Sequence, residues 1–117
     1  MEINWLGKTC FRIKGKQTTV FIDPVATEAV ANLGRNGADV VCLSYLEPED
    51  IAGAKIAGDP YIVHGPGEYE ASNVLIIGVP TYQDSYSGTV RGKNTVYALE
   101  IEELSICHLG KLGHLLS

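Results

Sequence analysis

Short runs of apolar and β-branched residues recur along the chain, separated by turns rich in glycine, proline and asparagine. Runs of this length, whether alternating or continuous, predict β-strands rather than long helices. The pattern predicts about nine strands, at residues 2–6, 10–13, 17–22, 40–43, 61–64, 68–71, 74–77, 95–101 and 104–108. Tight turns between the first three predict an antiparallel meander, and Glu102-Glu103 predicts a hairpin between the last two.

At most two short helices are predicted between these strands. Asp23 is expected as the N-cap of the first, with Pro24 at its first position and Gly34 closing residues 25–33. The second is expected after Pro48. Several strands are apolar on both faces, whereas two short helices cover only one. The predicted fold class is therefore α+β: a mixed, largely antiparallel β-sheet with one or two short helices on one face and its other face covered from outside the chain.

The polar stretch that follows the apolar run 40–43 is the expected place for chemistry, because α/β proteins bind ligands at the carboxyl ends of their strands. This stretch holds three acids, Glu47, Glu49 and Asp50, around Pro48. The acids could gather around calcium or magnesium, which prefer oxygen ligands, although their spacing is not that of an EF-hand. The alternative is a solvated acidic loop that favours the N-terminus of the following helix.

Composition limits the class of protein. The chain has 117 residues, 45% of them hydrophobic, which predicts a single domain over residues 1–117. It has no apolar run long enough for a membrane span and no basic, apolar leader at its N-terminus, so a cytoplasmic location is expected. The net charge is −5 and the nine basic residues are scattered, so neither nucleic acid nor a membrane is expected as a partner.

Cysteine and histidine give no pattern typical of catalysis. The three cysteines lie in strand-like runs and are predicted to be buried, reduced thiols: Cys10, Cys42 and Cys107. The three histidines are too scattered for a metal site and are expected at strand ends or on the surface: His64, His108 and His114. Cys107 and His108 are neighbours on a predicted strand, so their side chains would point to opposite faces and could not form a dyad.

A series of segments in order along the whole chain resembles the N-terminal half of a metallo-β-lactamase-fold protein. The resemblance is to the zinc-dependent hydrolase branch that includes ascorbate-lactonase-like proteins. The segments are Trp5-Leu6-Gly7 with Cys10-Phe11-Arg12-Ile13, Asp23-Pro24, Ala38-Asp39-Val40-Val41 into Ser44, Gly65-Pro66-Gly67-Glu68-Tyr69-Glu70, Arg91-Gly92-Lys93-Asn94-Thr95, and Ile106-Cys107-His108-Leu109-Gly110. The resemblance implies half of a four-layer αββα sandwich, with a zinc site at the edge where two sheets meet.

The same resemblance identifies the positions of that zinc site, and each carries a different residue here. The family pattern is Ser followed by His-x-His-x-Asp-His, whereas Ser44 is followed by Tyr-Leu-Glu-Pro-Glu-Asp. Tyr45, Glu47 and Asp50 stand at the three histidine positions, Glu49 at the aspartate, Gln83 at a further histidine and Lys111 at the bridging aspartate. A lysine there brings positive charge to the place of a metal. The expectation is therefore a retained scaffold with neither metal nor other cofactor, and no catalytic residues.

The predicted function is that of a non-catalytic metallo-β-lactamase-like protein, a pseudoenzyme. We expect a homodimer, formed through the uncovered sheet face, in which a second copy replaces the missing half of the fold. Two alternatives stay open: a metal-dependent hydrolase of lactonase or esterase type, and a fragment of such a hydrolase. The sequence indicates no particular cellular role.

Overall fold

A computed structural model describes residues 1–115, apart from the side chain of Ala52. Within these residues there are nine strands, one α-helix and one 3₁₀ helix, which confirms the predicted fold class. The strands are β1 (Glu2–Trp5), β2 (Phe11–Lys14), β3 (Thr19–Ile22), β4 (Val40–Leu43), β5 (Tyr61–His64), β6 (Gly67–Ala71), β7 (Val74–Tyr82), β8 (Lys93–Ile101) and β9 (Leu104–His108). Helix α1 (Glu28–Gly34) joins β3 to β4, and the 3₁₀ helix (Pro48–Ala54) lies between β4 and β5.

The strands form two sheets. The first sheet has the order β1-β2-β3-β4-β5: β1, β2 and β3 form the predicted antiparallel meander, and β3, β4 and β5 run parallel. The second sheet has the order β6-β7-β8-β9 and is antiparallel throughout, with β8 and β9 forming the predicted hairpin. Both parallel connections contain a helix, as crossover connections in α/β units usually do.

The two sheets pack face to face over the main core, which contains Ile22 and Cys42 from the first sheet and Ile76 and Leu99 from the second. On the other face of the first sheet, Val30 of α1 packs in a cluster with residues of β3 and β4. The chain therefore covers both faces of the central strands of its first sheet, β3 and β4. The face left uncovered is the outer face of the second sheet, a distinction that the sequence pattern alone does not make.

The predicted start of the first helix is wrong. The N-cap is Thr27, whose hydroxyl accepts a hydrogen bond from the Val30 N–H at 3.2 Å. Asp23 is instead buried, with 1% of its surface exposed, and accepts hydrogen bonds from Ser44. Because its carboxylate is engaged by β4, it is not available to cap a helix. At the other end, Gly34 is the last helical residue, and the C-cap is Arg35.

The predicted bounds of the seventh strand, residues 74–77, are also wrong at their C-terminal end. The strand continues to Tyr82, and β8 begins at Lys93, so the connecting loop covers residues 83–92. A proline is tolerated within this strand because β6 pairs with β7 only as far as Gly78. Pro80 therefore lies where β7 has a neighbour on one side only, and its missing N–H leaves no gap in the ladder.

Two of the three cysteines are buried, as predicted. Burial raises the pKa of Cys10 to about 11 and that of Cys42 to about 12. The prediction is wrong for Cys107, which is exposed because its side chain points to the outer face of the second sheet. His108 is buried, so the two neighbours do point to opposite faces. Among residues 1–115, no helix is long and apolar enough to cross a membrane.

Candidate functional site

The resemblance places the candidate site at one edge of the sandwich, beyond the ends of β4 and β5. A cleft of about 480 Å³ lies there, between the loop after β4 and the loop between β7 and β8. The two sheets are joined beside it by a hydrogen bond from the Thr95 N–H to the Ser44 carbonyl, at 2.7 Å. Tyr45, Glu47, His64 and Gln83 all line this cleft.

Asp23 and Ser44 form the buried support of the site. The Ser44 N–H donates to Asp23 Oδ1 at 2.7 Å, and the Ser44 hydroxyl donates to Asp23 Oδ2. Burial raises the pKa of Asp23, while the hydrogen bonds from Ser44 act in the opposite direction. These bonds tie the end of β3 to the end of β4, and so position the loop that begins at Tyr45.

Tyr45 and Lys111, two positions of the family's metal site, contact each other. Lys111 Nζ lies 4.2 Å from the centroid of the Tyr45 ring, a cation–π arrangement. The backbone of Lys111 is held by its N–H, which donates to Asn94 Oδ1 at 2.9 Å. The Thr9 hydroxyl lies 3.4 Å from the Tyr45 hydroxyl. At these two positions the structure therefore has an ammonium stacked on an aromatic ring.

The three acids of the loop do not converge. Glu47 Oε2 lies 3.1 Å from His64 Nε2, and both side chains are well exposed. Asp50 points back to the start of the 3₁₀ helix, where its carboxylate accepts the Glu47 N–H at 2.8 Å. Glu49 is exposed. This arrangement matches the solvated acidic loop, in which carboxylates stabilise the start of the following helix.

Gln83 lies at the opposite side of the cleft, at the start of the β7–β8 loop. Its side-chain amide donates to the Lys93 carbonyl at 2.9 Å, and its backbone N–H donates to the Gly92 carbonyl at 2.9 Å. Both contacts close the base of the loop. Gln83 therefore holds the loop together from a position that also lines the cleft.

Asp84, which the sequence analysis did not single out, organises the same loop. Its carboxylate accepts four backbone N–H groups at 2.7–3.1 Å, from Tyr86, Gly88, Val90 and Arg91. These bonds, that from Arg91 most of all, hold the pKa of Asp84 below its usual value. An aspartate followed by serines and a glycine is a recognised turn pattern, so this signal was present in the sequence.

We expect the Asp84→Ala substitution to loosen this loop without unfolding the sandwich. The amides of Tyr86, Gly88, Val90 and Arg91 should lose at least about tenfold in hydrogen-exchange protection, since each loses its acceptor. Mass spectrometry of exchanged peptides measures this, with Ser85→Ala as the control in the same loop. Unchanged protection in Asp84→Ala would contradict the assignment.

The pH should have the same effect on the wild-type loop. Because the pKa of Asp84 is lowered in the folded protein, these four amides should lose their protection as the pH falls below 3.8, the usual pKa of an aspartate.

The three histidines already have partners. His108 Nε2 lies 2.8 Å from the Thr9 carbonyl, and its Nδ1 accepts the Gly110 N–H at 3.2 Å. This pattern requires a neutral ring with the proton on Nε2, which leaves no lone pair free for a metal. His114 Nε2 accepts the Tyr82 N–H at 3.1 Å. His64 lies at the end of β5, paired with Glu47, as a strand-end histidine was expected to lie.

A zinc ion does not fit the residues at the family's metal positions. Zinc takes imidazole, thiolate and carboxylate ligands in tetrahedral geometry. Here the positions supply a phenol, an amide, an ammonium and three carboxylates that do not converge. Within residues 1–115, no group of three or more His, Cys, Asp or Glu side chains is placed to hold a metal ion.

Residues 2–117 match the family model described as the beta-lactamase superfamily domain. The chain therefore belongs to the beta-lactamase superfamily. Among solved structures, it is similar to a proposed Zn-dependent hydrolase of the metallo-beta-lactamase superfamily from Thermotoga maritima, with 31% identity and a TM-score of 0.73. It is also similar to CmlA, a diiron beta-hydroxylase from Streptomyces venezuelae, with 14% identity and a TM-score of 0.64, a likeness that shows the fold alone. No curated protein matches the chain.

These matches define how much of the fold is present. The alignment to the Thermotoga maritima protein covers 98% of this chain and 52% of the other. The alignment to CmlA covers 92% of this chain and 29% of the other. The chain thus spans about half the length of the first relative, which confirms the inferred half of the metallo-β-lactamase fold.

Proposed function

We propose that this chain is a non-catalytic member of its superfamily, which acts through protein assembly rather than hydrolysis. The observation that carries the proposal is the Lys111 ammonium over the Tyr45 ring, 4.2 Å from its centroid. Both residues stand at metal positions of the family. A fixed positive charge there repels a divalent cation and takes the place of an acidic bridging ligand.

The alternative, a metal-dependent hydrolase of lactonase or esterase type, would need the acidic loop as its ligand source. Glu47 and Glu49 are exposed, and Asp50 is engaged in its own helix start. Bringing them together around a metal would break the Asp50 contact and the pairing of Glu47 with His64. The geometry therefore favours assembly over hydrolysis.

We expect the purified protein to retain less than about 0.1 zinc per chain after equilibration with zinc and dialysis, because an unsupported carboxylate cluster binds transition metals weakly. Mass-spectrometric metal analysis measures this, and the same sample should hydrolyse neither lactones nor esters above the uncatalysed rate. One zinc per chain, lost together with activity on adding a chelator, would establish the hydrolase instead. A Lys111→Ala variant analysed in parallel tests whether the ammonium is the element that excludes the metal.

The surface that supports assembly is the outer face of the second sheet. Along β7, Leu75, Ile77 and Val79 are 40%, 42% and 46% exposed, alternating with the buried Val74 and Ile76. Contiguous apolar side chains on a regular sheet face are typical of protein interfaces. These three side chains form an apolar stripe along β7. In a two-fold symmetric dimer, the apolar stripe of a second copy would pack against it and cover the face that the chain leaves open.

The stripe has acidic borders. Glu70 and Glu100 lie on either side of Leu75, and Glu68 lies beside Ile77. The described stretches 67–80 and 96–108 contain no lysine or arginine. Two copies packed through this face bring like charges together, so the proposed dimer depends on apolar contact and is opposed by electrostatic repulsion.

A further inference from the structure

Strand β5 is an edge of the first sheet, at the side of the sandwich where residues 65–66 lead the chain into the second sheet. It pairs with β4, and no other strand of residues 1–115 lies beside it. The Tyr61 N–H donates towards β4, to the Asp39 carbonyl at 2.9 Å. Because the backbone groups of successive residues point to opposite sides of a strand, those of Ile62 and His64 point to the open side. The edge therefore offers unpaired donors and acceptors to an extended chain.

The strand lacks the residues that usually protect an edge from strand addition. Its sequence, Tyr61–His64, contains no proline, lysine, arginine or acid, and Tyr61 is 51% exposed. By comparison β6, an edge of the second sheet, carries Glu68 and Glu70. The open side of β5 can therefore accept another strand without placing a charge of β5 in the new ladder.

A cavity of about 260 Å³ lies next to this edge, between the 3₁₀ helix and the outer face of β4 and β5. Val41 and Ile62 line it from the sheet, and Pro48, Ile51 and Ile56 line it from the helix and the residues after it. Ile62 is 39% exposed, whereas its cross-strand neighbour Val41 is 1% exposed. The short 3₁₀ helix thus covers β4 and leaves the cavity open at β5. Its volume is on the order of ten times the share of one water in the liquid, which is enough for an apolar side chain.

Acidic side chains lie at both ends of this edge. Asp59 is exposed two residues before β5, and Glu47 Oε2 lies 3.1 Å from His64 Nε2 at the end of the strand. Residues 47–64 hold four acids and one lysine, Lys55, which lines the cavity. From residue 59 to residue 64 an extended chain spans roughly 16 Å, at about 3.3 Å per residue. The charges therefore fit a segment with one basic residue near each end.

We propose that β5 binds an extended basic segment of a partner protein, which joins the first sheet as a further strand. The backbone of the segment pairs with Ile62 and His64, and one of its apolar side chains fills the cavity beside Ile62. Lysine or arginine side chains about five residues apart contact Asp59 and Glu47. This surface is separate from that of the proposed dimer, so the inference does not depend on the dimer.

The same charges disfavour a second copy of this chain as the occupant. Two β5 strands paired antiparallel would bring Asp59 of each copy towards Glu47 of the other, so carboxylates would repel each other at both ends of the pair. The net charge of −5 on each chain opposes this pairing further. A basic partner meets attraction at the two places where a second copy meets repulsion.

A dye-labelled peptide, Lys-Thr-Val-Thr-Val-Lys, tests the proposal by fluorescence anisotropy. We expect it to bind saturably, and the analogue with glutamate at both ends to bind at least about tenfold more weakly. Two further analogues carry a methyl group on the amide nitrogen of the first valine or of the threonine after it. Since an added strand pairs through alternate residues, only one of the two methyl groups should weaken binding. The absence of saturable binding, equal binding of the acidic analogue, or equal effects of the two methyl groups would overturn the proposal.

Two lysine variants test the location. Ile62→Lys puts an ammonium beside the cavity and should weaken binding of the basic peptide at least about tenfold, through desolvation and repulsion. Ile77→Lys, at a 42% exposed isoleucine of the second sheet, is the matched control and should leave binding unchanged. Equal effects of the two variants would assign the peptide to another surface. Self-association of the protein that is lost in Ile62→Lys would assign the edge to a second copy.

Charge variants test the two acidic ends. Asp59→Asn combined with Glu47→Gln should weaken peptide binding at least about tenfold at low salt and flatten its dependence on salt. Glu103→Gln, at an exposed glutamate in the turn between β8 and β9, is the control and should change neither. Binding that is equally strong and equally salt-dependent in the double variant would overturn the assignment of the basic residues to Asp59 and Glu47.

Discussion

We expect the Ile77→Lys substitution to dissociate the proposed dimer, so that light scattering gives the monomer mass of 12.6 kDa rather than twice that value. Ile77 lies in the middle of β7, 42% exposed, between Glu68 of β6 and Ala98 of β8. A lysine there would have to be desolvated within the apolar stripe of the interface, and we expect this cost to exceed the gain from its proximity to Glu68. The dissociation constant should rise at least about 100-fold, which corresponds to roughly 2.7 kcal/mol.

Ile62→Lys is the matched control for this experiment, since Ile62 is 39% exposed. It exchanges the same residue types at a similarly exposed position, but on β5 of the first sheet, so the mass should stay that of the dimer. A wild-type protein that is monomeric at micromolar concentration would count against the dimer itself, whatever the variants do.

Salt dependence separates this dimer from one held by ion pairs. The proposed interface brings the carboxylates of Glu68, Glu70 and Glu100 of both copies onto one surface, and screening weakens their repulsion. Raising the salt from about 0.1 M to about 1 M shortens the Debye length from roughly 10 Å to roughly 3 Å, so the dimer should tighten. Glu100→Gln should tighten it at low salt and flatten the dependence. A dimer that weakens with salt would have a different interface.

Much of the fold could be predicted because strand and turn signals are local. The continuous apolar run of β4 and the propensities of β3 mark buried strands whatever their neighbours are. The division into two sheets is not local. The chain changes sheets at Gly65-Pro66-Gly67, where both glycines have positive φ, but a turn of this kind also occurs within a single sheet. Whether β6 pairs with β5 or starts a second sheet depends on contacts between residues distant in sequence, which the pattern of apolar and polar positions does not contain.

The candidate site shows the same limit. The resemblance identified Tyr45 and Lys111 as positions of a common site, but not that the ammonium of one lies on the ring of the other, since this contact depends on the packing of two sheets. Asp23 was misassigned for a related reason. Asp-Pro before an apolar run is typical of a helix start, and the competing acceptor role towards Ser44 depends on a parallel pairing of β3 and β4.

We expect Asp23→Ala to lower the free energy of unfolding by about 3 kcal/mol. Asp23 is 1% exposed and Ser44 is 3% exposed. Removal of the carboxylate leaves the Ser44 N–H and hydroxyl buried without their acceptor, at roughly 1–3 kcal/mol for each group. Asp39→Ala is the control, since Asp39 Oδ2 accepts the Thr19 N–H at 2.9 Å in an exposed position and should contribute about 1 kcal/mol at most. Urea denaturation of both variants measures the difference.

The Asp23→Asn variant tests the charge of this residue separately from its hydrogen bonds. Asparagine can still accept the Ser44 N–H, so we expect it to retain most of the stability that alanine loses. Burial raises the pKa of Asp23 in the folded protein above its usual 3.8, so over the interval between these values the folded state keeps a proton that the unfolded state has lost. The contribution of Asp23 to the free energy of unfolding is therefore fully present below pH 3.8, and it declines as the pH rises through the pKa of Asp23 in the folded protein. The Asn variant should lack this decline, and an equally steep decline in both proteins above about pH 4 would show that another group causes it.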